Sequence, residues 1–156
     1  TNSATFRMNV ALAELPRFVA RRSRTDAAHL GAGIILAPSL AYMDRAHASA
    51  RLEGMSREPI VEMLIPSTLD DTLAPPGRHV ASLFCQHFDY VLAREDAPQR
   101  NWDDATLRAQ AIERIFDTIE RRAPGFRASL LGHSALSPYD LERRFGLAGE
   151  IGRAHV

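Results

Sequence analysis

Residues 59–77 carry two signals that restrict the fold of this chain: a strand that ends at a proline, and a long loop after it. Residues 60–65 are apolar except for Glu62 and partly β-branched, and Pro66 then ends the strand because it has no backbone N–H to donate to a neighbouring strand. The sequence Pro-Pro-Gly at residues 75–77 forces a turn before residues 78–88, which have the composition of a second strand. Loops of about a dozen residues inside compact domains are usually functional or packed against another part of the protein.

Hydrophobic periodicity and capping residues predict the other elements. The predicted elements are, in chain order, strands 5–12 and 33–37, a helix after Ser39 to residue 53, strands 60–65 and 78–88, a helix from Asp103 or Asp104 to residue 122, a strand 127–136 and a helix from Ser137. In the first helix the side chains expected to face the core are Leu40, Met43, Ala46, Ala50 and Leu52.

From residue 33 to 136 this order is β-α-β-β-α-β. It predicts an α+β fold with a ferredoxin-like (split β-α-β) sheet, helices on one face, an extra N-terminal strand and a C-terminal helix. We expect one domain over residues 1–156. The sheet face without helices needs a partner, which can be another domain, a ligand or a second copy of the chain.

Composition excludes several classes of function. The net charge is zero and the pI is about 7.0, so no long-range field favours nucleic acid as a partner. All 19 basic residues are arginine, which excludes a Schiff-base lysine and favours a bacterial source of high GC content. No segment reaches the roughly 20 apolar residues of a transmembrane helix. The single cysteine, Cys85, cannot form an internal disulfide, which favours a reducing compartment and a cytoplasmic location.

Three segments resemble the phytoene desaturase-like FAD-dependent oxidoreductases: residues 8–18, 65–88 and 137–147. The resemblance spans about residues 5 to 149, and one branch of that family matches most closely. It implies that the chain is the substrate-binding domain of a longer enzyme that uses FAD and acts on a C–C bond of an apolar small molecule. The flavin domain of the parent chain would then be its partner, and this chain alone would be inactive.

The chain lacks the glycine-rich elements with which that family binds FAD. Gly31 and Gly33 form its G-x-G, but Leu36 occupies the position of the third glycine, so a turn entering a strand is the better interpretation. Residues 152–156 are only faintly similar to the second glycine-rich segment of the family. We therefore expect no flavin-binding domain and no cofactor in this chain.

Strands 5–12 and 78–88 each offer an apolar face that can line a substrate cavity, with a few polar groups to orient the ligand. The predicted substrate-binding residues are Met8, Val10, Ser82, Phe84, Gln86 and Phe88, with Tyr42 as a further contributor. If these side chains pack under helix 103–122 instead, the lining comes from the opposite parity: Asn9, Cys85 and His87. A structural hydrogen bond is the alternative role for Gln86.

Other patterns favour structural roles. Cys85 and His87 are too few for a metal site, Asp70 and Asp71 suit backbone capping, and the segment Gly132–Leu136 lacks the last glycine of a nucleophile elbow. The arginines at positions 17, 21, 22 and 24 are expected in a solvated loop. No residue is assigned a catalytic role or a metal. The alternative function is a free-standing ferredoxin-like module that binds a ligand as a dimer. In either case we expect the isolated chain to form a homo-oligomer, with Phe6, Met8 or Phe84 among its contacts.

Overall fold

The structure is a computed structural model that describes residues 4–20 and 28–147. The predictions for Arg21, Arg22 and Arg24, and those for residues 152–156, lie outside these ranges. None of the helices within the described ranges is long and apolar enough to cross a lipid bilayer.

The predicted α+β class is confirmed. The described elements follow the predicted order except that a short helix, Phe126–Ser129, occupies the start of the strand predicted over residues 127–136. They are β1 (Ala4–Leu12), β2 (Ile34–Leu36), α1 (Leu40–Glu53), β3 (Val61–Leu64), β4 (His79–Phe88), α2 (Ala105–Arg122), α3 (Phe126–Ser129), β5 (Leu130–Leu136) and α4 (Pro138–Phe145). Short 3-10 turns occupy Ala28–Gly31, Pro66–Thr68 and Asp71–Leu73. The long loop between β3 and β4 is therefore built largely from two such turns.

The helix boundaries follow from local capping chemistry. The Ser39 hydroxyl accepts the backbone N–H of Tyr42 at the start of α1, and Gly54 ends that helix in the left-handed conformation at φ 85°. Of the two predicted caps of α2, Asp104 is the N-cap, since its carboxylate accepts hydrogen bonds from the backbone N–H groups of Thr106 and Leu107. These ends could be predicted because each depends on a few neighbouring residues.

The sheet is antiparallel throughout, with the strand order β2-β3-β4-β1-β5. The N-terminal strand, predicted as an addition to the sheet, lies in its interior and pairs with β4 on one side and β5 on the other. Its alternating apolar side chains explain this position, because Phe6, Met8 and Leu12 are almost completely buried. An edge strand would leave more of this apolar surface in water.

One face of the sheet packs against α2, and we call it the core face. Ile115, Phe116 and Ile119 of α2 are buried over it. Near the end of β4, the rings of Phe6 and Phe88 lie with their centroids 5.4 Å apart. Helix α1 lies beside α2, where Glu53 pairs with Arg114 at 3.0 Å.

The predicted core-facing side of α1 is wrong at three positions. Leu40 and Leu52 are 80% and 77% exposed, and Met43 is also exposed. The buried residues of this helix are Tyr42, Ala46 and Ala50, spaced four apart. The Tyr42 hydroxyl donates to the Pro59 carbonyl at 2.9 Å, and the two small alanines allow close packing, so shape outweighs hydrophobicity in selecting the buried side.

Candidate functional site

The opposite face of the sheet, which we call the open face, is the candidate site. Along β1 and β4 the side chains alternate, so that Met8 opposite Leu83 faces the core while Arg7 opposite Phe84 faces outward. The open face includes Ile35 of β2, Glu62 and Leu64 of β3, Arg7 and Asn9 of β1, Ser82, Phe84 and Gln86 of β4, and Ser134 and Leu136 of β5. Thr5, opposite Gln86, belongs to the same side but is buried. Most of these residues are half-buried or exposed, whereas those of the core face of β1, β3 and β4 are mostly buried.

The six predicted substrate-binding residues do not share a face. Ser82, Phe84 and Gln86 lie on the open face, whereas Met8 and Val10 are buried in the core. The prediction that all six residues line one cavity wall is therefore wrong. Strand β1 faces the core with its even-numbered residues, whereas β4 does so with its odd-numbered residues up to Cys85. Their role in substrate binding stays a prediction for the three residues on the open face.

Phe88 enters the core because the backbone of β4 is irregular at the preceding residue. His87 has a φ of 68°, which L-residues with a Cβ rarely adopt, and the pairing register between β1 and β4 shifts at the same end. The shift changes the parity of the strand, so Phe88 is fully buried although Phe84 and Gln86 face outward. No pattern in the sequence marks this bulge.

The opposite-parity set is also divided. Asn9 is exposed on the open face, next to Ser82 in the register. Cys85 is fully buried in the core, and burial raises the pKa of its thiol far above the usual range, which makes it a poor nucleophile. His87 packs its ring against His47 of α1 at a centroid distance of 5.5 Å. Tyr42 lies in a small cluster with α1 residues and does not reach the open face.

Two polar pairs cross the open face between neighbouring strands. The Arg7 guanidinium donates to the Ser82 hydroxyl at 3.3 Å and lies over the Phe84 ring, 5.2 Å from its centroid. The Gln86 amide donates to the Glu62 carboxylate, so its observed bond is to a side chain and not to the backbone. These bonds fix polar groups on a surface that is otherwise partly apolar.

Exposed aliphatic side chains lie at one side of the open face. Ile35 is 64% exposed and Leu64 is 56% exposed. Phe84, half-buried on the central part of the sheet, continues this surface. Adjacent exposed apolar side chains of this kind commonly mark a binding surface.

A cavity of about 220 Å³ lies at the other side of the open face, between the sheet and α4. Its lining residues are Arg7, Met8, Asn9, Ser134, Leu136, Leu141 and Phe145. Leu141 and Phe145 are four apart on α4 and so lie on the same side of that helix. Sequence reasoning missed this cavity, although the alternation of β1 had already placed Arg7 and Asn9 on one face.

Helix α4 is fixed at this position by a charged network. Arg108 of α2 donates two hydrogen bonds to Asp140, at 2.6 and 3.0 Å. The backbone N–H and hydroxyl of Ser137 also donate to this carboxylate, both at 2.8 Å. Partial burial acts to raise the pKa of Asp140, but these hydrogen bonds outweigh it and hold the pKa at about 2.

The remaining sequence patterns have structural roles. Asp70 accepts the backbone N–H and hydroxyl of Thr72, as predicted for a capping residue. The Gly31 segment is a turn that leads into β2, also as predicted. Within the described ranges, no cluster of three or more His, Cys, Asp or Glu residues is placed to hold a metal. A second cavity, of about 280 Å³, lies beyond the end of β1 and next to α3, and its two charged lining residues, Glu14 and Arg17, pair with each other.

Comparison with known proteins gives two relatives with the same name, pyridine nucleotide-disulfide oxidoreductase domain-containing protein 2. The protein from Rattus norvegicus is 39% identical over 153 residues, and the protein from Mus musculus is 37% identical over the same length. Each match covers 96% of this chain but only 26% of the relative, so the chain spans about a quarter of their length. No model of a protein family matches the chain.

The chain is therefore a homologue of one segment of these proteins and is related to proteins named as oxidoreductases. The branch predicted from residues 65–88 is the one that contains proteins of this name. The membership of this chain in the wider phytoene desaturase-like family stays a prediction. Both relatives are mammalian, and the bacterial source predicted from the absence of lysine also stays a prediction.

Proposed function

We propose that this chain is the substrate-binding domain of an FAD-dependent oxidoreductase of the phytoene desaturase-like type, and that its open face forms one wall of the substrate cavity. The observation that carries this proposal is the part of the open face that α4 does not cover, which combines exposed Ile35 and Leu64 with the hydrogen-bonded side chains of Ser82 and Gln86. A wall that combines apolar side chains with fixed polar groups suits a small molecule that is largely apolar.

The flavin would be held by the part of the parent protein that corresponds to the rest of the relatives' length. The described residues do not fit a dinucleotide: the G-x-G turn at Gly31 enters a strand, whereas a pyrophosphate needs a helix N-terminus after such a turn. When bound, a flavin supplies hydride transfer, and this domain would supply position and exclude water. Ser82, Phe84 and Gln86 are the predicted substrate-binding residues that remain suited to hold the substrate.

A titration with retinol, an apolar polyene whose fluorescence reports binding, tests the open face. We expect Phe84→Ala to weaken retinol binding about fivefold or more, since it removes about 1 kcal/mol of apolar contact. Leu52→Ala is the matched control, because Leu52 is equally apolar, 77% exposed and on α1. Equal affinities of Phe84→Ala and the wild type would refute the open face as the ligand wall.

A second candidate is a free-standing module that dimerises through the open face. The exposure of Ile35 and Leu64 favours it, since an isolated domain with such a surface tends to self-associate. Phe6 and Met8, expected among the dimer contacts, are buried in the core, which leaves Phe84 of that set. The flanking gene sequence separates the candidates: an upstream in-frame G-x-G-x-x-G supports the flavoenzyme, and a start codon near Thr1 supports the module.

A further inference from the structure

The cavity between the open face and α4 contains a single charged lining residue, Arg7. No carboxylate in residues 4–20 or 28–147 forms an ion pair with it. Some other half-buried arginines do form ion pairs, as Arg108 does with Asp140 and Arg114 with Glu53. A half-buried guanidinium without a counter-ion beside a cavity is a position where an anion is favoured.

The Arg7 side chain is also held in place before any ligand arrives. A guanidinium has five N–H donors, and the described contact to the Ser82 hydroxyl uses one of them. The guanidinium also lies over the Phe84 ring, and this contact restricts the side chain, so less freedom is lost when an anion binds. Asn9 and Ser134 add neutral hydrogen-bonding groups to the same cavity.

The size and lining of the cavity indicate how a ligand would lie. A volume of about 220 Å³ is below the roughly 300 Å³ at which pockets for drug-sized ligands begin, so it accommodates one end of a ligand. Leu136, Leu141 and Phe145 make the rest of the lining apolar. From Arg7 the open face continues across Phe84 and diagonally to Leu64, so these two side chains offer apolar contacts for the remainder of the molecule. The Glu62 carboxylate, which lies opposite Phe84 and accepts the Gln86 amide, borders this path.

We propose that this cavity binds the anionic group, a carboxylate or a phosphate, of an amphipathic ligand whose apolar chain lies along the open face. Arg7 is the anion-binding residue, with Asn9 and Ser134 as neutral hydrogen-bonding partners. The inference rests on the proposed role of the open face and adds the chemical class of the ligand. A purely apolar substrate would give the Arg7 guanidinium no counter-ion.

Three probes of equal chain length test the inference by NMR titration of the whole chain: decanoate, decyl phosphate and decanol. We expect at least one of the two anions to bind about tenfold or more tightly than decanol, with shifts at the amides of Arg7, Asn9 and Ser134. Whichever anion binds more tightly identifies the carboxylate or phosphate as the preferred group. Arg7→Gln should reduce anion affinity to that of decanol, and Arg7→Lys should retain part of it. Arg17→Gln, which removes an exposed arginine, should change nothing.

Each outcome decides the inference. Equal binding of anions and decanol on the open face would overturn the anion site and leave the proposed apolar wall intact. An anion preference that survives in Arg7→Gln would also overturn it. Absence of binding by all three probes would overturn it as well, and the proposed function would then be decided by the retinol titration with Phe84→Ala.

Discussion

Asp140 allows a quantitative prediction, because its carboxylate accepts hydrogen bonds from Arg108 and Ser137 and is mostly shielded from solvent. The fall of its pKa from 3.8 to about 2 corresponds to about 2 kcal/mol of folding free energy at pH 7, at about 1.4 kcal/mol for each pKa unit. Asp140→Asn keeps the shape but removes the charge, so we expect it to lower the free energy of unfolding by about 2 kcal/mol.

The sign of the pH dependence follows from the lowered pKa. The contribution of Asp140 is complete above the unfolded pKa near 4 and is lost as the pH falls toward 2, so about half remains at pH 3. Urea denaturation followed by circular dichroism at pH 7 and pH 3 should therefore give differences of about 2 and about 1 kcal/mol between wild type and Asp140→Asn.

The matched control is Asp103→Asn, which breaks the exposed pair between Asp103 and Arg143. An exposed pair of this kind contributes under about 1 kcal/mol, so this variant should stay close to the wild type. A loss for Asp140→Asn no larger than that for Asp103→Asn, or one that is equal at both pH values, would refute the role given to the charged network.

Two further predictions concern the end of β4. Phe88→Ala should lower the free energy of unfolding by about 3–5 kcal/mol in urea denaturation, because it leaves a cavity among packed aromatic rings. Phe84→Ala on the open face should lower it clearly less, and similar losses for the two variants would contradict the parity change at the bulge. His87→Val should be less stable than His87→Asn by about 1–2 kcal/mol, because Asn tolerates the positive φ and a β-branched side chain does not. Equal melting temperatures of these two variants would exclude strain at position 87.

The features that could be predicted from the sequence are those set by neighbouring residues. Ser39 and Gly54 delimit α1, and Ser137 starts α4 with a proline at the first helical position. The alternation in residues 5–12 likewise predicts a strand with one buried face. In each case the signal and the structure it produces lie within a few residues of one another.

The features that escaped prediction depend on distant contacts. The buried side of α1 is selected by packing around Ile60. Its exposed leucines therefore led to a wrong prediction of the side that faces the core. The positive φ at His87 reverses the parity of β4, and no glycine at this position indicates such a conformation in the sequence. The candidate site therefore differs from the predicted one. Half of the predicted substrate-binding residues lie on the open face, and the role of Arg7 depends on β5 and α4, which are distant in sequence and lie beside it in the fold.

The interior position of β1 has a consequence for how the chain folds. Arg7 and its partner Ser82 are 75 positions apart, and the β5 residues that pair with β1 come later still. During synthesis, the apolar side chains of β1 must therefore wait for both neighbouring strands before they can be buried. Such non-local pairing makes folding slow and leaves an aggregation-prone strand exposed meanwhile. We expect the yield of folded protein to depend strongly on temperature and chaperones during expression, and a circular permutant that joins β1 directly to β4 or β5 to fold faster.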